Sequence, residues 1–208
     1  MKKFYIADWH YGHGNVIGFD NRPFVDVDEM NKELIRRWNS VVSSGDIVYV
    51  LGDMFWCTPK VASPIMDELN GQKFLIKGNH DRWNDSKFDK KFVKITDYLE
   101  VEDGDKRIVL SHYPIPCFKN HFYGWAHLYG HVHSSFEWNM MEHDRFLMEN
   151  LYDKQCDMIN VGCMMPWMDY TPRTLEEIIS GYVKWKAERS YDDGEYSLCS
   201  LSCRCEGT

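Results

Sequence analysis

Apolar residues in this chain gather into short runs that stop abruptly at polar ones, and the polar residues repeat in kind. KFYIA stops at Asp8, DIVYVLG at Asp53 and KFLIKG at Asn79, while RIVLS leads into His112 and HLYG into His131. Continuous apolar runs of strand length point to buried strands rather than to the alternating pattern of a half-exposed sheet. DMINVG, from Asp157 to Gly162, is a further strand of this type. Between the runs the period changes. Met30, Leu34, Ile35, Trp38 and Val41/Val42 recur at helical spacing, and Asp26 or Asp28 stands where a cap belongs, which predicts a helix through Val42. A second helix is expected from Pro59 to Leu69, with the proline in its first turn. TPRTLEEIISGYVKWKAE reads as a late helix, capped by Thr174 with Glu177 three positions on, the spacing of a capping box.

Strands alternating with helices predict an α/β fold. In open α/β sheets ligands bind beyond the carboxyl ends of the strands, so five separate segments are expected to deliver their polar residues to one edge. At 208 residues one domain is the expectation. We assign residues 1–190 to it and 191–208 to a tail containing Cys199, Cys203 and Cys205. These cysteines have no suitably spaced fourth ligand, so a zinc knuckle is not expected.

Net charge is −8, which argues against a broad nucleic-acid surface, where a basic face is the usual footprint. No apolar stretch reaches the length of a membrane span, and the first apolar run is too brief for a signal-peptide core. A cytoplasmic protein is expected, and the scattered Cys57, Cys117, Cys156 and Cys163 fit a reducing compartment.

The polar clusters carry the chemistry. Asp8-Trp9-His10 and His131-Val132-His133 each place two polar side chains two positions apart, and Gly52, Gly78 and Gly130 sit directly before Asp53, Asn79 and His131. Carboxylates, an amide and imidazoles without cysteine suit ions such as Mn, Fe or Zn with positions left for water, rather than a closed structural zinc site. A carboxylate can bridge two such ions roughly 3.5–4 Å apart.

DWH, LGDM, KGNHD, SHYP and YGHVH, in this order over residues 8–133, resemble the five signature blocks of the calcineurin-like metallophosphoesterases. The resemblance implies a layered α/β sandwich, two mixed β-sheets flanked by helices. It implies Asp8, His10 and His133 on a first metal, Asn79, His112 and His131 on a second, and Asp53 bridging them. It makes His80 the general acid or transition-state stabiliser, with Asp81 as the acidic residue beside it. Two divalent metal ions are implied, Mn first, with Fe, Zn, Ni or Co as others. The reaction implied is in-line attack of a metal-bound hydroxide on phosphorus.

One departure shapes the substrate expectation. Trp56 and Cys57 stand where the protein-phosphatase branch has Asp and Arg, so the chain looks closer to the compact bacterial and phage branch. A small phosphodiester or nucleotide is therefore expected as substrate. Arg22 and Arg82 are the nearest cations to replace the missing guanidinium, and Asn15 can donate to a phosphate oxygen. Trp56, Trp83, Phe118, Phe122, Tyr123 and Trp125 lie beside the blocks, as cleft wall or as a surface for a nucleobase. His13, His121, His127 and His143 match no block and are expected at the surface or in structural roles. The rival readings are a nuclease on DNA or RNA, and a metal-binding interaction module without activity.

Overall fold

Strand formation follows the apolar runs closely. In the computed structural model, which describes residues 1–151 and 153–189, β1 (Lys3–Ile6), β2 (Ile47–Val50), β3 (Gln72–Ile76) and β4 (Lys94–Thr96) form one four-stranded sheet in that order. A second sheet takes β5 (Tyr98–Asp103), β6 (Lys106–Ser111), β7 (Ala126–Tyr129) and β8 (Asp157–Asn160), again in sequence order. The domain boundary expected at residue 190 and the cysteine tail lie outside the described residues.

The helices α2 (Val27–Val41), α3 (Pro59–Glu68) and α6 (Leu175–Arg189) fall where the periodicity places them. Of the two candidate caps for α2, Asp26 is the one used: its carboxylate accepts from the Glu29 N–H, satisfying a donor the first turn leaves open. Pro59 opens α3. At α6 the box closes both ways, with Glu177 accepting from the Thr174 N–H at 2.8 Å and Thr174 Oγ1 from the Glu177 N–H at 3.4 Å.

Two short helices, α1 (Val16–Phe19) and α4 (Ser86–Asp89), a 3₁₀ turn at His121–Tyr123 and the long α5 (Phe136–Leu151) were not legible in the pattern. No helix of the described residues is long and apolar enough to cross a membrane.

The expected pair of mixed sheets is refined. β1 to β4 pair in parallel throughout, and only the isolated antiparallel bridge between Tyr5 and Arg173 adds a second sense at the free edge of β1. The second sheet is mixed in the full sense, because β5 runs antiparallel to β6 while β6, β7 and β8 are parallel.

Parallel strands end at the same edge, so β1, β2 and β3 release Asp8, Asp53 and Asn79 side by side. β6 and β7 release His112 and the His131/His133 pair in the same way. The two edges are joined by backbone: the Ala7 N–H donates to Val161 O and the Cys163 N–H to Ala7 O, both at 2.8 Å. Beneath lies a continuous core that includes Ile6, Leu34, Trp38, Val50, Leu75, Leu110, Leu128 and Ile159, all buried.

Candidate metal centre

All seven residues expected as metal ligands converge on the seam between the sheets. Asp8, His10 and His133 bring one ligand atom each within 4.8 Å of one another, and Asp8, Asp53 and His112 do the same. Asp8 thus reaches both groups. Asp53 Oδ2 stands 3.8 Å from His10 Nε2 and 3.6 Å from His112 Nε2, between the two sets of imidazoles. Asn79 Oδ1 faces His112 Nε2 at 3.0 Å and His131 Nδ1 at 2.9 Å.

The backbone is bent to achieve this. Asp8, His10, Asp53, His131 and His133 all have positive φ, between 49° and 71°. Left-handed residues other than glycine cost on the order of 1–3 kcal/mol each and collect where function demands them.

The protonation pattern decides what the cluster is for. A carbonyl only accepts, so His112 Nδ1, 2.8 Å from Leu51 O, must carry a proton and leave a lone pair on Nε2. That lone pair faces the Asn79 oxygen. His133 Nδ1 donates to Asp20 Oδ1 at 2.7 Å, which turns its Nε2 toward His10 Nε2 at 3.2 Å. Burial lowers the His133 imidazole, but the Asp20 contact and the Asp8 charge outweigh it and raise it above its usual value. His10 Nδ1 is buried with no partner.

Burial, reinforced by His133 and Arg22, holds the His10 imidazole down at about 2, so it stays neutral and keeps a lone pair for a ligand. Burial pushes the Asp8 carboxyl up; His133 and His112 oppose the rise, and the Asp53 charge adds to it. Electron-rich atoms aimed at one another in a buried site repel without cations and suit cations well. The donor set therefore fits divalent ions.

A family model for calcineurin-like phosphoesterases matches residues 1–166. The chain belongs to the calcineurin-like phosphoesterase family. An uncharacterised protein of Methanocaldococcus jannaschii is 35% identical over 196 residues, covering 93% of this chain and 98% of its own. Among solved structures, a protein of unknown function from Aquifex aeolicus has a TM-score of 0.63 at 27% identity, over 86% of this chain and 98% of that one. The two sheets flanked by helices are the architecture the family resemblance implied. Like other calcineurin-like phosphoesterases, the chain is a hydrolase of phosphate esters whose family chemistry depends on metal ions.

The ring around the metal ligands departs from sequence-level expectation. Arg22, expected to face substrate, is 4% exposed. Its guanidinium donates to Asp20 Oδ2, to Trp9 O at 3.0 Å and to Asp8 O at 2.9 Å, so its donors are spent on the protein. Asp81, expected beside His80 in catalysis, is buried and accepts from the N–H groups of Asp53, Met54 and Gly78. It ties the ends of β2 and β3 together. Asn15 is exposed and its side chain caps nothing. Arg82 is exposed beside Asn79. His127 is structural, as expected of an unmatched histidine: Nδ1 donates to Val109 O and Nε2 accepts the Ile115 N–H, both at 3.0 Å.

His80 has an exposed ring, and its backbone N–H donates to Asp53 Oδ1 at 2.9 Å. The ring packs on Trp56, centroids 4.5 Å apart, and Trp56 stacks on His13 at 3.9 Å and 9°. An indole thus supports His80 where the protein phosphatases place a carboxylate.

Sequence reading passed over Asp20. It joins His133 to Arg22, whose nitrogen lies 2.8 Å from its carboxylate. Burial would raise the Asp20 carboxyl, but the His133 and Arg22 contacts outweigh it and hold it below the usual range. Asn160, also unread, donates to His133 O at 2.8 Å. Carboxylates behind metal-binding histidines fix the tautomer and raise basicity, and their loss typically costs about 10–100-fold in metal affinity or activity. Asp20→Asn keeps an acceptor for His133 but removes the charge, so a loss of about that size is expected. Metal titration followed by calorimetry checks it, and an unchanged metal affinity would refute it.

Proposed function

We propose that this chain hydrolyses small phosphate esters, phosphodiesters or nucleotides in preference to phosphoproteins, at a centre of two divalent ions with manganese as the first expectation. The observation that carries the reading is the convergence of the Asp8 and Asp53 carboxylates, the Asn79 amide oxygen and ring nitrogens of four histidines at one seam. Asp8, His10 and His133 would hold one ion, Asn79, His112 and His131 the other, and Asp53 both. The ions supply positive charge for the phosphoryl oxygens and make water acidic enough to act as a nucleophile at neutral pH.

The chain's own residues do the rest. Leu51 O and Asp20 hold Nδ1 of His112 and His133, so their Nε2 atoms face inward. Asp81 holds Asp53 and Gly78 in place through their N–H groups. His80, whose ring nitrogens bind nothing among the described residues, is free to give a proton to the departing alkoxide, with Trp56 packed against its ring. A correctly placed acid typically contributes about 10²–10⁴ in rate. Asn15 remains a candidate donor to the phosphate.

The direct measurement is hydrolysis of bis-p-nitrophenyl phosphate against p-nitrophenyl phosphate with added Mn²⁺, before and after chelation. Metal-dependent turnover of at least one of the two esters, lost on chelation, is the expected result. Absence of metal-dependent turnover on both esters would sink the reading.

A further inference from the structure

A cleft of about 670 Å³ opens beside the candidate metal centre, with Asn79 in its wall. Its lining includes Lys77, Arg82, Trp83, Asp97 and Tyr113. Arg82 is unusual in this chain. Six other described arginines, Arg22 and Arg145 among them, each donate from the guanidinium to a protein oxygen. The side chains of Lys77 and Arg82 have no hydrogen bond or ion pair among the described residues.

Two acids also line the cleft, but Asp81 is spent on three backbone N–H groups. The remaining balance is two free cations against Asp97, in a chain whose net charge is −8. Unpaired guanidinium and ammonium groups in a concave site are the groups that bind phosphate.

The flanking aromatics are held rigidly. Trp83 donates its indole N–H to Asp89 Oδ1 at 2.9 Å and lies near-parallel to Phe92 at 6.3 Å, with Phe88 edge-on at 5.1 Å. Tyr113 is 48% exposed, and its ring stands 4.4 Å from that of His131. One aromatic wall is therefore anchored beside His131 and the other to the part of the core under Phe88 and Phe92. Rigid aromatic faces offer stacking surface to a base at little entropic cost. A simple monoester, or a diester with two small arms, would leave the cations between these walls unused.

We infer that Lys77 and Arg82 form a second phosphate subsite, and that the substrate is a nucleoside carrying two separate phosphate groups. One phosphate is cleaved at the metal centre, the other rests on Lys77 and Arg82, and the base lies against Trp83 or Tyr113. This inference rests on the phosphoesterase reading proposed above.

The test compares adenosine 3′,5′-bisphosphate, adenosine 5′-monophosphate and bis-p-nitrophenyl phosphate on Mn²⁺-loaded wild type and on the double variant Lys77→Gln/Arg82→Gln. In wild type the bisphosphate should have a KM about tenfold below that of the monophosphate, the worth of one good charged contact. In the double variant the ratio of kcat/KM for the bisphosphate over bis-p-nitrophenyl phosphate should fall about tenfold. The fall should come through KM, with an unchanged melting temperature as control. Equal KM values for the two nucleotides in wild type, or parallel losses on both substrates in the variant, would overturn the inference.

A second readout needs no turnover. Chelator-treated wild type should bind adenosine 5′-monophosphate, followed by tryptophan fluorescence, at least about tenfold more tightly than the chelated variant. Equal binding would also overturn the subsite. Failure of wild type to turn over any of the three compounds would instead fall on the phosphoesterase reading.

Discussion

An Asp53→Asn protein is expected to lose metal-dependent turnover by roughly 10³-fold or more, and yet, stripped of metal, to melt above the wild type. The loss follows from position. Asp53 Oδ2 lies between His10 Nε2 and His112 Nε2, and a neutral amide cannot serve two divalent ions as a bridging carboxylate does; several kcal/mol of charge stabilisation are at stake.

The gain follows from what the cluster is without ions. Asp8 and Asp53 are both buried, and the Asp53 charge helps to hold the Asp8 carboxyl above its usual range, after burial itself. An asparagine keeps the acceptor for the His80 N–H. It also turns an N–H toward the His112 lone pair and removes one of two like charges. A stabilisation of about 1 kcal/mol is expected in chelator. With ions present the order should reverse, because a ligand at 100 times its Kd stabilises by about 2.7 kcal/mol. Melting curves of both proteins with Mn²⁺ and with chelator read all four states. A Mn²⁺ shift in the variant equal to that of wild type would disprove the bridging role.

The polar residues gathered at the seam were legible because they follow the apolar runs closely. A buried parallel strand has to end somewhere, and an Asp, Asn or His at that point, next to glycine, has few other reasons to be there. Helices α2, α3 and α6 were legible for a related reason, since their start signals, the caps Asp26 and Thr174 and the first-turn Pro59, are local. The hairpin of β5 and β6 was harder. YLEVED alternates at an edge, with Leu99 and Val101 half-buried. Its turn signal, Gly104 at φ 62° between paired Asp103 and Lys106, suits a two-residue turn with glycine first. Helix α5 has apolar residues on every side, Phe136 and Met140 exposed and Trp138 buried, so no stripe announces it.

The surrounding residues were misread for a physical reason. Asp20 meets His133 across 113 positions, and Arg22 turns inward because Asp20 and the carbonyls of Asp8 and Trp9 satisfy it there. Asp81 looked like chemistry because it follows His80, but two of its three N–H partners, those of Asp53 and Met54, come within reach only once β2 and β3 lie side by side. Spacing along a chain shows which groups a strand delivers. It does not show which of them will be satisfied by the protein itself, and that decides which remain free for substrate.

Gly78→Ala should do nearly as much harm to activity as the loss of a ligand, although it adds one methyl group and touches no metal-binding atom by name. A Cβ built on Gly78 would lie 2.2 Å from Asp53 Oδ1 and 2.6 Å from the Asp53 backbone nitrogen. Neither can move freely. Asp53 Oδ1 accepts the His80 N–H, and the Asp53 nitrogen donates to Asp81, which also holds the Gly78 N–H. The methyl would have to push the bridging carboxylate out of the cluster or part the ends of β2 and β3, and either movement separates Asp53 from its imidazoles.

Overpacking of this kind costs about 1–3 kcal/mol in stability, and a displaced bridge should remove most of the rate enhancement and the Mn²⁺-induced rise in melting temperature. Gly78 is not among the positive-φ glycines, so the effect would come from space alone and not from backbone strain. Gly18→Ala is the control, because a Cβ there meets nothing within 4 Å and the site lies in helix α1. It should be neutral or slightly stabilising, as alanine is the better helix former. If Gly78→Ala kept both the metal shift and turnover while Gly18→Ala stayed neutral, the close approach of Gly78 to Asp53 would not be what sets the geometry of the centre.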